Sequence, residues 1–146
     1  MTNSKRKARI LLVEDDLADV ELTMETLEES KLDIDLNVVN DGVEAMAYLN
    51  KQGKYKSVTR PDLVLLDLNM PKKDGREVLA EIRADEKLKA LPVVILTTSS
   101  SEEDILKSYN TGVNCYISKP VGLEEFIKVV KVFEAFWFTI VTLPPQ

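Results

Sequence analysis

Short apolar runs alternate with longer amphipathic stretches along most of the chain. Ala8 to Val13 is the first run, and Glu14, Asp15 and Asp16 stand at its C-terminal end. Leu17, Val20, Met24 and Leu27 then recur at helical spacing, with Glu21, Glu25, Glu28 and Glu29 largely on other faces. Ile34 to Val39 alternates loosely, as a strand near a sheet edge would. Asn40-Asp41-Gly42 marks a turn and helix start, and Val43 to Leu49 continues it. Asn50 to Arg60, with Lys51, Lys54, Lys56 and Arg60, is polar and basic and fits either a longer helix or a loop.

Leu63 to Leu66 is solidly apolar, the pattern of a strand buried on both faces, and Asp67 follows at once. Pro71 and the turn-favouring pair Asp74-Gly75 end that element. Gly75 to Ala84 carries Val78, Leu79 and Ile82 on one helical face. Pro92 to Leu96 and Val113 to Ile117 read as the fourth and fifth strands. Between them a helix opens at Glu102-Glu103-Asp104 and stops at Gly112. A last helix runs from Gly122 to about Phe138. Five strand–helix repeats predict an α/β fold, a parallel sheet with helices on both faces.

Composition narrows the function. A chain of 146 residues is one ordinary domain, and its net charge of −6 argues against a general nucleic-acid binder. It gives no support for anionic membranes, and no apolar run reaches transmembrane length. The single cysteine, Cys115, excludes an internal disulfide and suits a reducing cytoplasm. Histidine is absent, which removes Ser-His and Cys-His nucleophile pairs, histidine metal sites and any phosphohistidine carrier. Chemistry here must run on carboxylates, hydroxyls and lysines.

In a parallel sheet the strand C-termini share one rim, where such folds place their ligands. That gathers Glu14, Asp15 and Asp16, then Asp67 and Asn69, then Thr97, then Lys119. Taken alone, Asp67 is as well explained as a loop cap. Crowded carboxylates repel unless a cation neutralises them, and oxygen donors without histidine suit Mg²⁺. Asp15 and Asp67, with the backbone carbonyl of Asn69, could hold it. Thr97 and Lys119 offer a hydroxyl and a fixed charge for phosphoryl oxygens. The set fits phosphorylation of a carboxylate, with Asp67 as nucleophile.

Ile10-Leu11-Leu12-Val13-Glu14-Asp15-Asp16, Leu65-Leu66-Asp67-Leu68-Asn69-Met70-Pro71, Asp74-Gly75, Leu96-Thr97 and Lys119-Pro120 together resemble the signature of response-regulator receiver domains. The match spans about Arg9 to Val130. The resemblance implies a flavodoxin-like (βα)5 fold, a doubly wound sheet of strand order 2-1-3-4-5. It implies Asp67 as phosphoacceptor, and Glu14, Asp15, Asp67 and the Asn69 carbonyl as metal positions for Mg²⁺, with Mn²⁺ as the alternative. Thr97 matches the switch hydroxyl, Tyr116 the aromatic that reports the state, and Lys119 the lysine that contacts the phosphoryl group. Lys119-Pro120 is commonly cis in the family, and Asn69 and Ser99 occupy positions that modulate phosphoryl lifetime. A domain of residues 9–138 is expected, with tails at 1–8 and 139–146.

Two other functions compete. A phosphatase of the haloacid-dehalogenase type also phosphorylates an aspartate after a parallel strand, but needs a second aspartate where this chain has Asn69. A phosphorylation-independent adaptor would keep the fold without needing the acceptor set, which is present here. The expected protein is therefore not an enzyme with a separate substrate but a signalling protein that phosphorylates and dephosphorylates its own aspartate. Its donor would be a sensor histidine kinase.

The chain stops soon after the fifth helix, so output is expected through the face of the fourth helix, fifth strand and fifth helix. Leu123, Phe126, Ile127 and Val130 form one apolar stripe on that helix, and Val129, Val132 and Phe136 another. Phe133, Phe136, Trp137 and Phe138 predict a homodimer interface, with a tail folded onto its own domain as the alternative. The single receiver, the basic Asn50 to Arg60 segment and the aromatic tail resemble cyanobacterial phytochrome-associated regulators. That narrower resemblance implies a phytochrome-type kinase, an unidentified downstream protein, and neither nucleic-acid nor membrane binding.

Overall fold

The computed structural model describes residues 7–30, 32–68, 70, 72–97, 115–119 and 121–132. Five strands form one parallel sheet in the order β2-β1-β3-β4-β5. They are β1 (Ala8–Val13), β2 (Ile34–Val39), β3 (Leu63–Asp67), β4 (Val93–Thr97) and β5 (Cys115–Ser118). The helices are α1 (Leu17–Glu29), α2 (Gly42–Leu49), α3 (Gly75–Ala84) and a last described helix, Leu123–Val132. The order is the one expected of a flavodoxin-like receiver fold. The helix expected from Glu102 lies outside the described residues, as does the start of the fifth strand at Val113.

Alternation along the strands builds two separate cores. Val64 and Leu66 face the side packed by α2 and α3, with Met46, Val78, Leu79 and Ile82. Leu63 and Leu65 face the other side, with Val20 and Leu27 of α1 and Phe126 of the last helix. Every residue of β3 is buried, because β1 and β4 cover its edges and helices cover both faces. β2 alternates between partly buried and exposed positions from Ile34 to Asn37, and Val38 is exposed, as befits an edge strand; only Val39 is buried.

The starts of α1, α2 and α3 are each fixed by a carboxylate. Asp16 accepts from the amides of Ala18 and Asp19, Asp41 from Glu44, and Asp74 from Glu77. Asp74, read with Gly75 as ending the preceding element, is the cap of α3, and Gly75 is its first residue, where the helix was expected to begin. Gly75 is required there by close approach: a β-carbon would lie 2.3 Å from the Asp67 carbonyl oxygen.

The Asn50 to Arg60 segment is neither a longer helix nor a featureless loop. α2 ends at Leu49, and a 3₁₀ turn at Gly53–Tyr55 follows. The Tyr55 hydroxyl donates to Glu44 Oε1 at 2.5 Å, and its ring meets Tyr48 with centroids 5.2 Å apart.

Candidate functional site

Strand parity aims the acids before any loop is considered. Asp67 continues the side of Leu63 and Leu65, and Glu14 continues that of Ile10 and Leu12. Both carboxylates therefore emerge at the C-terminal rim on the face covered by α1 and the last helix. Glu14 still belongs to the sheet, since its amide donates to the Val39 carbonyl at 3.0 Å. Glu14 and Asp67 are buried, whereas Asp15 is exposed. Carboxylate oxygens of the three residues come within 4.8 Å of one another.

Lys119 reaches this cluster from the residue after β5. Its ammonium donates to Glu14 Oε1 at 2.7 Å and to Asp19 Oδ2 at 3.0 Å. It stands 3.4 Å from Asp67 Oδ2, an ion pair at longer range. Its side chain is only 6% exposed, so the pairing occurs largely out of water. The segment after it is anchored by a buried bond, in which the Thr26 hydroxyl of α1 donates to the Val121 carbonyl at 2.7 Å.

Burial lifts the Glu14 carboxyl to about 7; the hydrogen bond from Lys119 opposes that rise and the Asp67 charge adds to it. Burial also opposes the charge of Lys119, but its hydrogen bonds to Glu14 and Asp19 and the Asp67 charge outweigh burial. The ammonium is held above its ordinary value. One lysine cannot neutralise three clustered carboxylates. Their hard oxygen donors fit a divalent cation, which would relieve the excess charge.

β4 ends at Thr97, which pairs with Ser118 beside Lys119, while Tyr116 pairs with Ile95. The backbone thus sets Thr97 beside Ser118 and next to Lys119 at this rim, with Tyr116 two residues back from Ser118 along β5. The side chains of Thr97 and Tyr116 lie outside the described parts, as do Asn69, Ser99, Pro120, Phe133, Phe136, Trp137 and Phe138. Asp16, grouped with the rim acids by sequence, is a helix cap. Asp19 was missed. It lies three residues beyond that cap, one helical turn from Asp15, and this spacing could have flagged it.

Residues 10–131 match the response regulator receiver domain family. The chain is a response-regulator receiver. It is 53% identical over 135 residues to the response regulator Rcp1 of Synechocystis, covering 92% of each chain. Among solved structures, the receiver resembles the phosphorylated cyanobacterial phytochrome response regulator RcpA at 51% identity and a TM-score of 0.78. That match covers 96% of this chain and 100% of the other. The Mn²⁺-bound form of Rcp1 matches at 51% identity and a TM-score of 0.76, over 94% of this chain and 99% of the other. Among the described residues, no helix of the receiver is long and apolar enough to cross a membrane.

Proposed function

We propose that this receiver takes a phosphoryl group onto Asp67 from a phosphohistidine of a sensor kinase. The observation that carries the reading is the relation of Asp67 to Lys119 at the end of the central strand. Both oxygens of Glu14 accept hydrogen bonds, from Lys119 at 2.7 Å and from the Asp16 amide at 3.2 Å. Lys119 stands further off Asp67, at 3.4 Å. Asp67 thus stands at the end of the central strand with a cation poised beside it.

In the reaction an Asp67 oxygen bonds to phosphorus as the phosphorus–nitrogen bond to the donor imidazole breaks. The electron pair of that bond stays on the nitrogen, which takes a proton from solvent. Lys119 offsets charge gathering on the phosphoryl oxygens. Glu14, Asp15 and Asp67, with the Asn69 carbonyl, would hold Mg²⁺, which when bound supplies further charge compensation. Release of the phosphoryl group to water would use the same residues.

The phosphoryl group adds nearly two negative charges beside Thr97. Thr97 moving toward it, with Tyr116 following, would alter the face built from the fourth helix, β5 and the fifth helix. The likeness to Rcp1 and RcpA supports a phytochrome-type kinase as donor. The aromatic run Phe133, Phe136, Trp137 and Phe138 supports a homodimer, with the receiver taken as residues 9–138, acting in the cytoplasm.

Labelling with acetyl [³²P]phosphate and Mg²⁺ tests the centre of this reading. Wild type should take up label and Asp67→Asn should not; persistent labelling of the variant would sink the assignment. Sedimentation with and without beryllofluoride tests the dimer. Phe136→Asp should remain monomeric where wild type dimerises, and a wild-type monomer under both conditions removes the interface.

A further inference from the structure

Asp19 has no part in the phosphoacceptor reading, yet it binds the lysine that the reading depends on. It occupies the first turn of α1, where its own amide donates to the capping carboxylate of Asp16 at 3.2 Å. That bond fixes the backbone from which its side chain reaches Lys119. An ammonium has three protons, and Lys119 meets three carboxylates, at 2.7 Å for Glu14, 3.0 Å for Asp19 and 3.4 Å for Asp67. The two short contacts are hydrogen bonds. The contact to Asp67 is longer than a charge-assisted hydrogen bond, which runs about 2.7–2.9 Å.

The division matters because Lys119 can help or hinder. Drawn fully onto Asp67, it would cover the oxygen that must attack phosphorus. It would also compete with a divalent cation for the same carboxylate. Glu14 cannot prevent this alone, because it shares the cluster with Asp67. Asp19 pulls from the other side, toward α1, and sits outside the group formed by Glu14, Asp15 and Asp67.

We propose that Asp19 is a positioning residue that holds the Lys119 ammonium off Asp67, so that the lysine neither masks the acceptor oxygen nor competes with a cation for it. The inference rests on the phosphoacceptor reading of Asp67. It makes the Lys119–Asp19 pair a tether between α1 and the segment after β5. The tether keeps the lysine within reach of phosphoryl oxygens without letting it mask the nucleophile.

The test is a double-mutant cycle read by Mn²⁺ binding, followed by electron paramagnetic resonance of the free ion. The chains are wild type, Asp19→Asn, Lys119→Gln and the double variant, with Asp19→Glu as the conservative control. Asp19→Asn should weaken Mn²⁺ binding about fivefold, the scale of one partly exposed ion pair. In the Lys119→Gln background the same change should shift binding less than about twofold, since coupled residues are non-additive and the effect of Asp19 is lost with its partner. Asp19→Glu should restore most of the affinity. An equal loss in both backgrounds would mean that Asp19 acts only as a distant charge and would overturn the proposal, as would no loss in either. Wild-type labelling by acetyl phosphate separates the two failures: label with a flat cycle sinks the role of Asp19 alone, and no label sinks the phosphoacceptor reading with it.

Discussion

Gly75→Ala should damage the proposed acceptor site through the backbone, without touching any functional group. The added β-carbon would lie 2.3 Å from the Asp67 carbonyl oxygen, 2.8 Å from Leu68 Cα and 3.0 Å from the Asp67 carbonyl carbon. Ordinary contact begins at 3.4 Å, and all three neighbours are main-chain atoms that cannot rotate aside. Either α3 or the end of β3 must therefore yield by about 1 Å, a displacement in the range that overpacking costs at ~1–3 kcal/mol. α3 resists, because the Gly75 amide donates to the Leu68 carbonyl at 3.0 Å and Val78, Leu79 and Ile82 are fully buried. Alanine's better helix propensity returns less than ~1 kcal/mol. A net loss of ~1–2 kcal/mol is expected from urea unfolding. Movement at the end of β3 also shifts Asp67 against Lys119, so the initial rate of acetyl-phosphate labelling should fall by ~10- to 100-fold. Gly53→Ala is the control. Its φ of +56° disfavours a β-carbon by ~1 kcal/mol, but nothing lies within 4 Å, so stability should drop while labelling holds. Wild-type stability and labelling in Gly75→Ala would refute the reasoning.

Three further perturbations separate structural supports from site chemistry. Thr26→Val keeps the shape of the side chain but leaves the buried Val121 carbonyl without its 2.7 Å donor. Thermal or urea unfolding should show a loss of ~1–3 kcal/mol, and labelling should slow because Val121 follows the Lys119 segment. Asp41→Ala removes the cap of α2 and should cost ~1 kcal/mol at neutral pH. The Asp41 carboxyl is held below its ordinary 3.8 chiefly by the Glu44 amide, with Lys72 assisting against burial. Its contribution is thus complete above pH 3.8 and is lost as pH falls through the lower folded value. Wild type and variant should converge in stability in strong acid, and a constant gap there would contradict the linkage. Tyr55→Phe removes the 2.5 Å bond to Glu44; burial of the phenol, and then that bond, push it up to about 12. A loss of ~0.5–1.5 kcal/mol with unchanged labelling is expected, and a labelling defect would tie this turn to the site.

Much of this architecture was legible because buried parallel strands write themselves as apolar runs. Leu63 to Leu66 could be placed because both of its faces are covered, which removes polar residues from the run. Asp67 was conspicuous for the same reason, as the first charge after it. Boundaries were less legible. β4 ends on Thr97 rather than Leu96, because Thr97 still pairs with Ser118, a ladder contact that residue type does not announce. Asn50 to Arg60 could not be resolved by periodicity. Its conformation is set by Tyr55 docking on Tyr48 and Glu44, and such a contact is tertiary. Asp16 and Asp19 look alike in sequence but act differently, one capping α1 and the other binding Lys119.

That difference bears on how a receiver tolerates its own site. Glu14 and Asp67 are buried carboxylates, and their placement costs stability that packing elsewhere must offset. Phe126, fully buried under the sheet, and the Thr26–Val121 bond stand on the same face as the acids. They fix α1 and the segment after β5 around Lys119, so the lysine arrives at the cluster already ordered. Had Lys119 been left to its long side chain in solvent, the entropy of localising it would fall on the proposed phosphoryl-transfer step. Here that cost is met during folding. The contacts that hold α1 against the last helix would therefore serve the proposed chemistry of Asp67 as well as the core. Substitutions at Thr26, far from Asp67 in sequence and without a reacting atom, should lower labelling beyond what the loss of folded protein explains.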